Sequence, residues 1–204
     1  MLRKTISKFM NRLSKIVKYS RSAEYSRRYF VINAFEGALT VWGIILGIHL
    51  LGSGEVSQIV SGGVGAVLAM AVSGVSSAYI AESAEQERRI RELEEALLMK
   101  IEGTEIKKAH RRSVIMSAIV NSTASSLTGL VVLSPYLASI SNIINSDQAF
   151  IYSTIILFTI LFIVGVFLGK ISGQKLVLSG LKTIGIACIV IFVLYLLSLL
   201  GYSP

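Results

Sequence analysis

The sequence has a single cysteine, two prolines and little charge, with only 16% of its 204 residues being Asp, Glu, Lys or Arg. One thiol, Cys188, excludes a disulfide framework, and with it zinc ribbons and paired-thiol redox motifs. So little proline argues against a disordered chain. No P-loop, nucleophile elbow or HExxH motif occurs. His49 and His110 have no His, Asp or Cys near them in sequence, so no catalytic constellation forms and an enzyme is not expected. Acidic residues are also scarce, 12 against 20 basic, for a net charge of +8. What is abundant is apolar: 53% of residues are hydrophobic, with a mean hydropathy of +0.68. A soluble domain carries roughly 25% charged residues. This chain has more apolar sequence than one core can bury, and it reads as an all-α polytopic membrane protein.

A membrane helix needs about 20 mainly apolar residues. Five stretches qualify: 30–51, 59–81, 114–137, 149–168 and 183–200. Glu36 is the only carboxylate inside them, and none holds Lys or Arg. The first stretch follows a long basic segment without a small-residue cleavage site, so it reads as a retained span and not a signal peptide. Basic residues fall in the segment 1–29, in 82–112, and around the connector between spans four and five at Lys170, Lys175 and Lys182. The connectors 52–58 and 138–148 and the tail 201–204 hold none. Lys and Arg concentrate on the cytoplasmic side. Five transmembrane helices with the N-terminus cytoplasmic and the C-terminus outside satisfy every basic residue. The chain divides into a basic segment 1–29, spans one and two over 30–81, a charged helical extension and connector over 82–112, and spans three to five over 113–204.

A pI near 9.7 suits nucleic acid in a soluble protein, but here the cations are juxtamembrane and attract anionic lipid headgroups instead. Leu2, Ile6, Phe9, Leu13, Ile16 and Val17 recur at helical spacing among the cations of 1–29. That pattern predicts an amphipathic helix lying in the membrane interface.

Glu36 falls about two turns inside the first span, where an ionisable group costs roughly 2.5–3.5 kcal/mol and usually has a function. At 100° per residue, Thr40, Gly43 and Gly47 lie within about 40° of it and Asn33 within about 60°, giving one polar or small face. A protonated glutamate bonded to a neighbouring helix is the alternative. Span two is rich in Gly, Ala and Ser, which let helices approach closely. Met70 stands out there, flanked on its own face by Gly63, Ala66, Gly74 and Ser77. A thioether is a soft ligand for Fe²⁺ or Cu⁺, although a lone methionine also serves as packing. The sequence runs from Glu82 to Met99 without Gly or Pro, which predicts that span two continues as a helix to about Gly103. On such a helix Glu85, Glu92 and Glu95 lie within about 60° of the direction of Met70. They form either an acidic stripe leading to the thioether or a solvated face of Glu–Arg pairs such as Glu85–Arg89, each worth a few tenths of a kcal/mol. The stretch NSTASSLTG, 121–129, either lines a polar path or bonds across helices.

The stretches FEGALTVWGIILGI (35–48), GGVGAVLAMAVSGVSSAYIAESAEQE (62–87) and SLTGLVVLSPYL (126–137), with SGLKTIGIACIVIFVLYLLSLLG (179–201) more weakly, resemble the vacuolar iron transporter family of yeast, plants and prokaryotes. The resemblance implies a five-span homodimer that moves Fe²⁺, often Mn²⁺, out of the cytoplasm in exchange for protons. It places the family's span-one Asp-Gly on Glu36-Gly37, the span-two methionine on Met70, and the cytoplasmic metal-collecting glutamates on Glu92 and Glu95, with Glu85 beside them. This chain departs from the family in carrying Glu for Asp at position 36. Its connector between spans two and three is also shorter than in plant members, with Met99, Glu102 and Glu105 as remnants of their metal-binding helices.

The expected function is therefore proton-coupled export of a divalent transition metal as substrate, with no resident cofactor. Glu36 and Met70 would form the intramembrane site, and Glu85, Glu92 and Glu95 would gather cations at the cytoplasmic mouth. Metal and protons compete for one carboxylate. A twofold interface would supply a second carboxylate and thioether. The rivals are a non-transporting adaptor that recruits a partner through helix 82–102, and a passive divalent-cation channel. The expected residence is the cell membrane, with a vacuolar or other organelle membrane giving the same charge pattern.

Overall fold

A computed structural model describes residues 22–51, 54–98, 100 and 105–200. Among them the chain is helical, with five helices in the order α1 (Ser22–Leu51), α2 (Val56–Leu97), α3 (Glu105–Ile140), α4 (Ser146–Ser172) and α5 (Leu176–Leu199). Each is long and apolar enough to cross a membrane. The expectation of five spans holds. The interfacial helix predicted for 1–29 lies outside the described residues as far as position 21, and 22–29 form the first turns of α1.

α1 and α3 begin well before their predicted spans, at Ser22 and Glu105, and two further helix ends also differ from expectation. The helix expected to run to about 102 stops at Leu97, and Leu98 turns left-handed at φ 53°. Leu98 is 94% exposed and its N–H reaches back to Glu95 O at 3.3 Å, so the last turn has no packing to prolong it. Helix propensity alone rarely sustains an unpacked end. Span five begins at Leu176, not 183, which puts Lys182 inside the helix. The turn before it is tight: Gly173 takes φ 68° and Gln174 N–H bonds Gly169 O at 3.0 Å. A left-handed glycine closing a helix this way satisfies its last carbonyls and lets the next helix start within three residues.

The chain forms two compact units. One comprises Val31–Val72 with Thr123–Pro204. Its core joins Ala38, Val41, Trp42, Ile45 and Leu46 of α1 to Val132, Leu133 and Tyr136 of α3, with Leu157 and Leu161 of α4. Trp42 donates its Nε1–H to Thr154 Oγ1 at 3.1 Å, so the one polar atom of the largest core side chain is satisfied. Small residues bring the helices together. The Cα of Gly37 faces the Ser125 backbone so closely that a Cβ there would meet its carbonyl. On α4, side chains at Gly165 or Gly169 would strike Thr183 and Ser179 of α5. Thr183 Oγ1 donates to Leu161 O at 2.8 Å across the same seam. Inside α3, Pro135 cannot donate to Val131 O, and Ser134 Oγ supplies that bond at 2.7 Å.

The second unit comprises Ser73–Ser122 and the chain up to Phe30. Here Asn121 Nδ2 donates to Gly74 O at 3.1 Å. A Cβ on Gly74 would stand 3.0 Å from the Cα of Ser122.

Candidate functional site

In the first unit, α1 carries Glu36 among apolar neighbours within a 22-residue span, Tyr29–Leu50. The carboxylate is exposed, with no hydrogen bond or ion pair to any described residue. Thr40 is exposed on the same face. Side chains at Gly43 and Gly47 would meet nothing within 4 Å. The opposite face, through Ala38, Val41, Trp42 and Ile45, is fully buried. One chain therefore covers the apolar side of α1 and leaves its carboxylate side bare. The same holds more strongly for α2, where 11% of the apolar window is buried, against 44% in α1 and α3.

Met70 is half-buried and packs against the core. Its methyl carbon lies 3.2 Å from where a Cβ on Gly129 would stand, and the carbonyl oxygen of Gly37, next after Glu36, lies 3.3 Å from the same point. Gly129 thus keeps open the spot where α1, α2 and α3 converge beside the thioether. The sequence marked Gly129 only as the end of a polar stretch, because a contact of three helices has no local signature.

In the second unit, Glu85 and Glu92 share a face of α2 and are tied to arginines. Arg89 Nε bonds Glu85 Oε1 at 3.1 Å. Arg88 Nε lies 3.1 Å from Glu92 Oε1 and 4.0 Å from Glu85 Oε2. Glu95 is exposed. The pairs are solvent-exposed and worth about 0.3–0.5 kcal/mol each, so a cation attracted by both carboxylates displaces little. Among the described residues, no group of three or more His, Cys, Asp or Glu is placed to hold a metal ion.

Other candidates have structural employment. Thr128 Oγ1 donates within its own helix to Ala124 O at 2.8 Å, Asn121 bonds α2, and His49 stacks on Phe150 with ring centroids 4.2 Å apart and planes 6° off parallel. The Ser126 hydroxyl, by contrast, is buried without a partner among the described residues. The sequence also passed over Glu82. Its Oε1 accepts a 2.8 Å bond from Gln86 Nε2, and Gln86 is one of the few buried polar residues of α2.

Comparison with known proteins gives two matches. The pattern of the VIT family matches residues 89–199, a stretch that holds Glu92 and Glu95 but not Glu36, Met70 or Glu85. An uncharacterized protein of Methanocaldococcus jannaschii is 28% identical over 166 residues, covering 80% of this chain and 83% of its own length.

Proposed function

The chain belongs to the VIT family of vacuolar iron transporters, and from that premise we propose that it exports a divalent transition metal, Fe²⁺ or Mn²⁺, from the cytoplasm by exchange for protons. Multi-pass membrane character and metal-ion transport come with the family. The ion, the coupling and the residues are our reading. One observation carries it: an unpartnered carboxylate, Glu36, sits bare inside a membrane span on a face of small residues.

A lone carboxylate facing lipid is expensive, and among the described residues a single chain places no three His, Cys, Asp or Glu side chains together to replace a dication's water. A second copy related by a twofold axis addresses both needs. It covers the face of Thr40, Gly43 and Gly47, and it doubles the carboxylate and thioether. In that arrangement Glu36 binds metal or proton in turn, and Met70 favours Fe²⁺ over Mg²⁺ or Ca²⁺ through its soft sulfur. Glu85, Glu92 and Glu95 raise the local cation concentration. The basic segment 1–29 holds anionic lipid, and the plasma membrane is the preferred site of residence.

The test is flux in proteoliposomes with Fe²⁺ under reducing conditions and Mn²⁺ in parallel, with and without an imposed pH gradient. Flux that rises with the gradient and is lost in Glu36→Gln supports exchange. Flux indifferent to the gradient replaces it with a channel. Flux retained in Glu36→Gln removes that residue from the mechanism.

A further inference from the structure

The second unit contains an open pocket of about 180 Å³ that the export reading does not use. Tyr29 at the start of α1, Ser77 and Glu82 on α2, and Ser117 and Asn121 on α3 line it, together with two alanines. Its polar atoms are carboxylate, hydroxyl, phenol and amide, and no described lining residue is basic. An anionic headgroup or phosphate therefore finds no counter-charge there.

Two of these groups lack partners. Glu82 Oε1 is held by Gln86, while Oε2 has no partner among the described residues. Ser117 is only 5% exposed yet lines the pocket and makes no hydrogen bond to a described residue. A buried hydroxyl usually finds a partner, in a helix most often the carbonyl a turn back. Ser117 instead keeps its hydroxyl for whatever fills the space. Asn121 is fixed at the wall by its bond to Gly74 O.

The size narrows the occupant further. A water molecule takes about 30 Å³ of liquid volume, so the pocket holds roughly six. Oxygen-rich surroundings with one formal charge suit a hard dication that keeps much of its hydration shell. They do not suit a stripped ion, which needs more charge than one carboxylate.

We propose that this pocket binds a hydrated divalent cation, with Glu82 as its charged ligand and Ser117 as a neutral one. The site is independent of Glu36, and it rests on the transport reading only for the claim that its ion is also the cargo.

Mn²⁺ is the probe, because its free aqua ion gives a resonance signal that vanishes on binding. Purified protein in detergent is titrated in a Glu36→Gln background, which removes the carboxylate of the proposed transport site. The expected result is a site that Glu82→Gln weakens by about 10-fold or more and Ser117→Ala by about 3- to 10-fold. Unchanged occupancy and affinity in Glu82→Gln overturn the proposal. Should Glu82→Gln fail to elute as a folded species, Ser117→Ala decides, and unchanged affinity there overturns it equally. Loss of the site in variants of a protein that moves neither Fe²⁺ nor Mn²⁺ leaves the pocket standing and defeats the export reading. Intact flux with unchanged Mn²⁺ binding in Glu82→Gln does the reverse.

Discussion

Replacing Gly37 by alanine tests whether backbone contact sets the approach of α1 to α3. A Cβ at position 37 would stand 2.6 Å from both the carbonyl carbon and the Cα of Ser125, and closer still to its oxygen. Carbon atoms pack best at about 3.5–4.0 Å, so the helices must part by roughly 1 Å, and a backbone cannot swing aside like a side-chain tip. Overpacking a core costs about 1–3 kcal/mol, and a backbone clash belongs at the upper end. Alanine's better helix propensity returns up to ~1 kcal/mol. The net loss is about 2 kcal/mol, or roughly 4–8 °C in midpoint for a chain of this length. Gly185→Ala on α5 is the control, because it makes the same change in a membrane-length helix with nothing within 4 Å to meet. It should melt at or slightly above wild type. Trp42 is the sole tryptophan and is 1% exposed, so its emission on heating in detergent reports the core that α1 and α3 share. A Gly37→Ala protein as stable as Gly185→Ala would refute the reasoning.

Thr183→Val removes the bond to Leu161 O across the α4–α5 seam and should lower stability by about 0.6 kcal/mol, at most ~1.7. A larger drop in the same melt would mean that the valine also disturbs the glycine contacts beside it. Ser134→Ala leaves Val131 O without the donor that Pro135 cannot provide. A loss of about 1–3 kcal/mol is expected, and none would show that the carbonyl finds another partner. Arg88→Ala releases Glu92, while Glu85 keeps its 3.1 Å bond to Arg89. Stability should move by no more than about 0.5 kcal/mol, while uptake at sub-saturating Mn²⁺ and low salt should rise. Unchanged uptake would take Glu92 out of cation capture.

The spans were legible because a lipid-crossing helix must be both long and apolar, and hydropathy reports both. The start of α5 was not. Ser179, Gly180 and Lys182 depress the local hydropathy, so the helix seemed to begin later. Gly180 is in fact a contact point, where a Cβ would press on the ring of Phe162. The end of α2 was hidden for the opposite reason, since nothing between Glu82 and Met99 breaks a helix and the stop at Leu97 reflects missing packing. Glu36 announced itself as the one carboxylate in an apolar run, and the structure adds that its face is bare. Glu82 and Ser117 were invisible singly, and Asn121 stood out only as the first residue of a polar stretch. Each is an ordinary residue well inside a long helix, and they acquire meaning only when α2 and α3 bring them to one pocket.

The uncovered stripe on α1 also restricts how the sequence can change. Glu36, Thr40, Gly43, Gly47 and Leu50 advance by alternating steps of four and three residues, close to the 3.5-residue repeat of a left-handed supercoil seam. One residue inserted between Glu36 and Gly43 would rotate everything before it by about 100° relative to everything after it. The carboxylate would swing toward the side now held by Ala38 and Trp42, while the glycines stayed where they are. Only insertions or deletions of whole turns, three or four residues at a time, keep charge and glycines in line. Length in this segment is thus as constrained as residue type, and an alignment gap of one or two here would mark a chain that has abandoned the carboxylate's position.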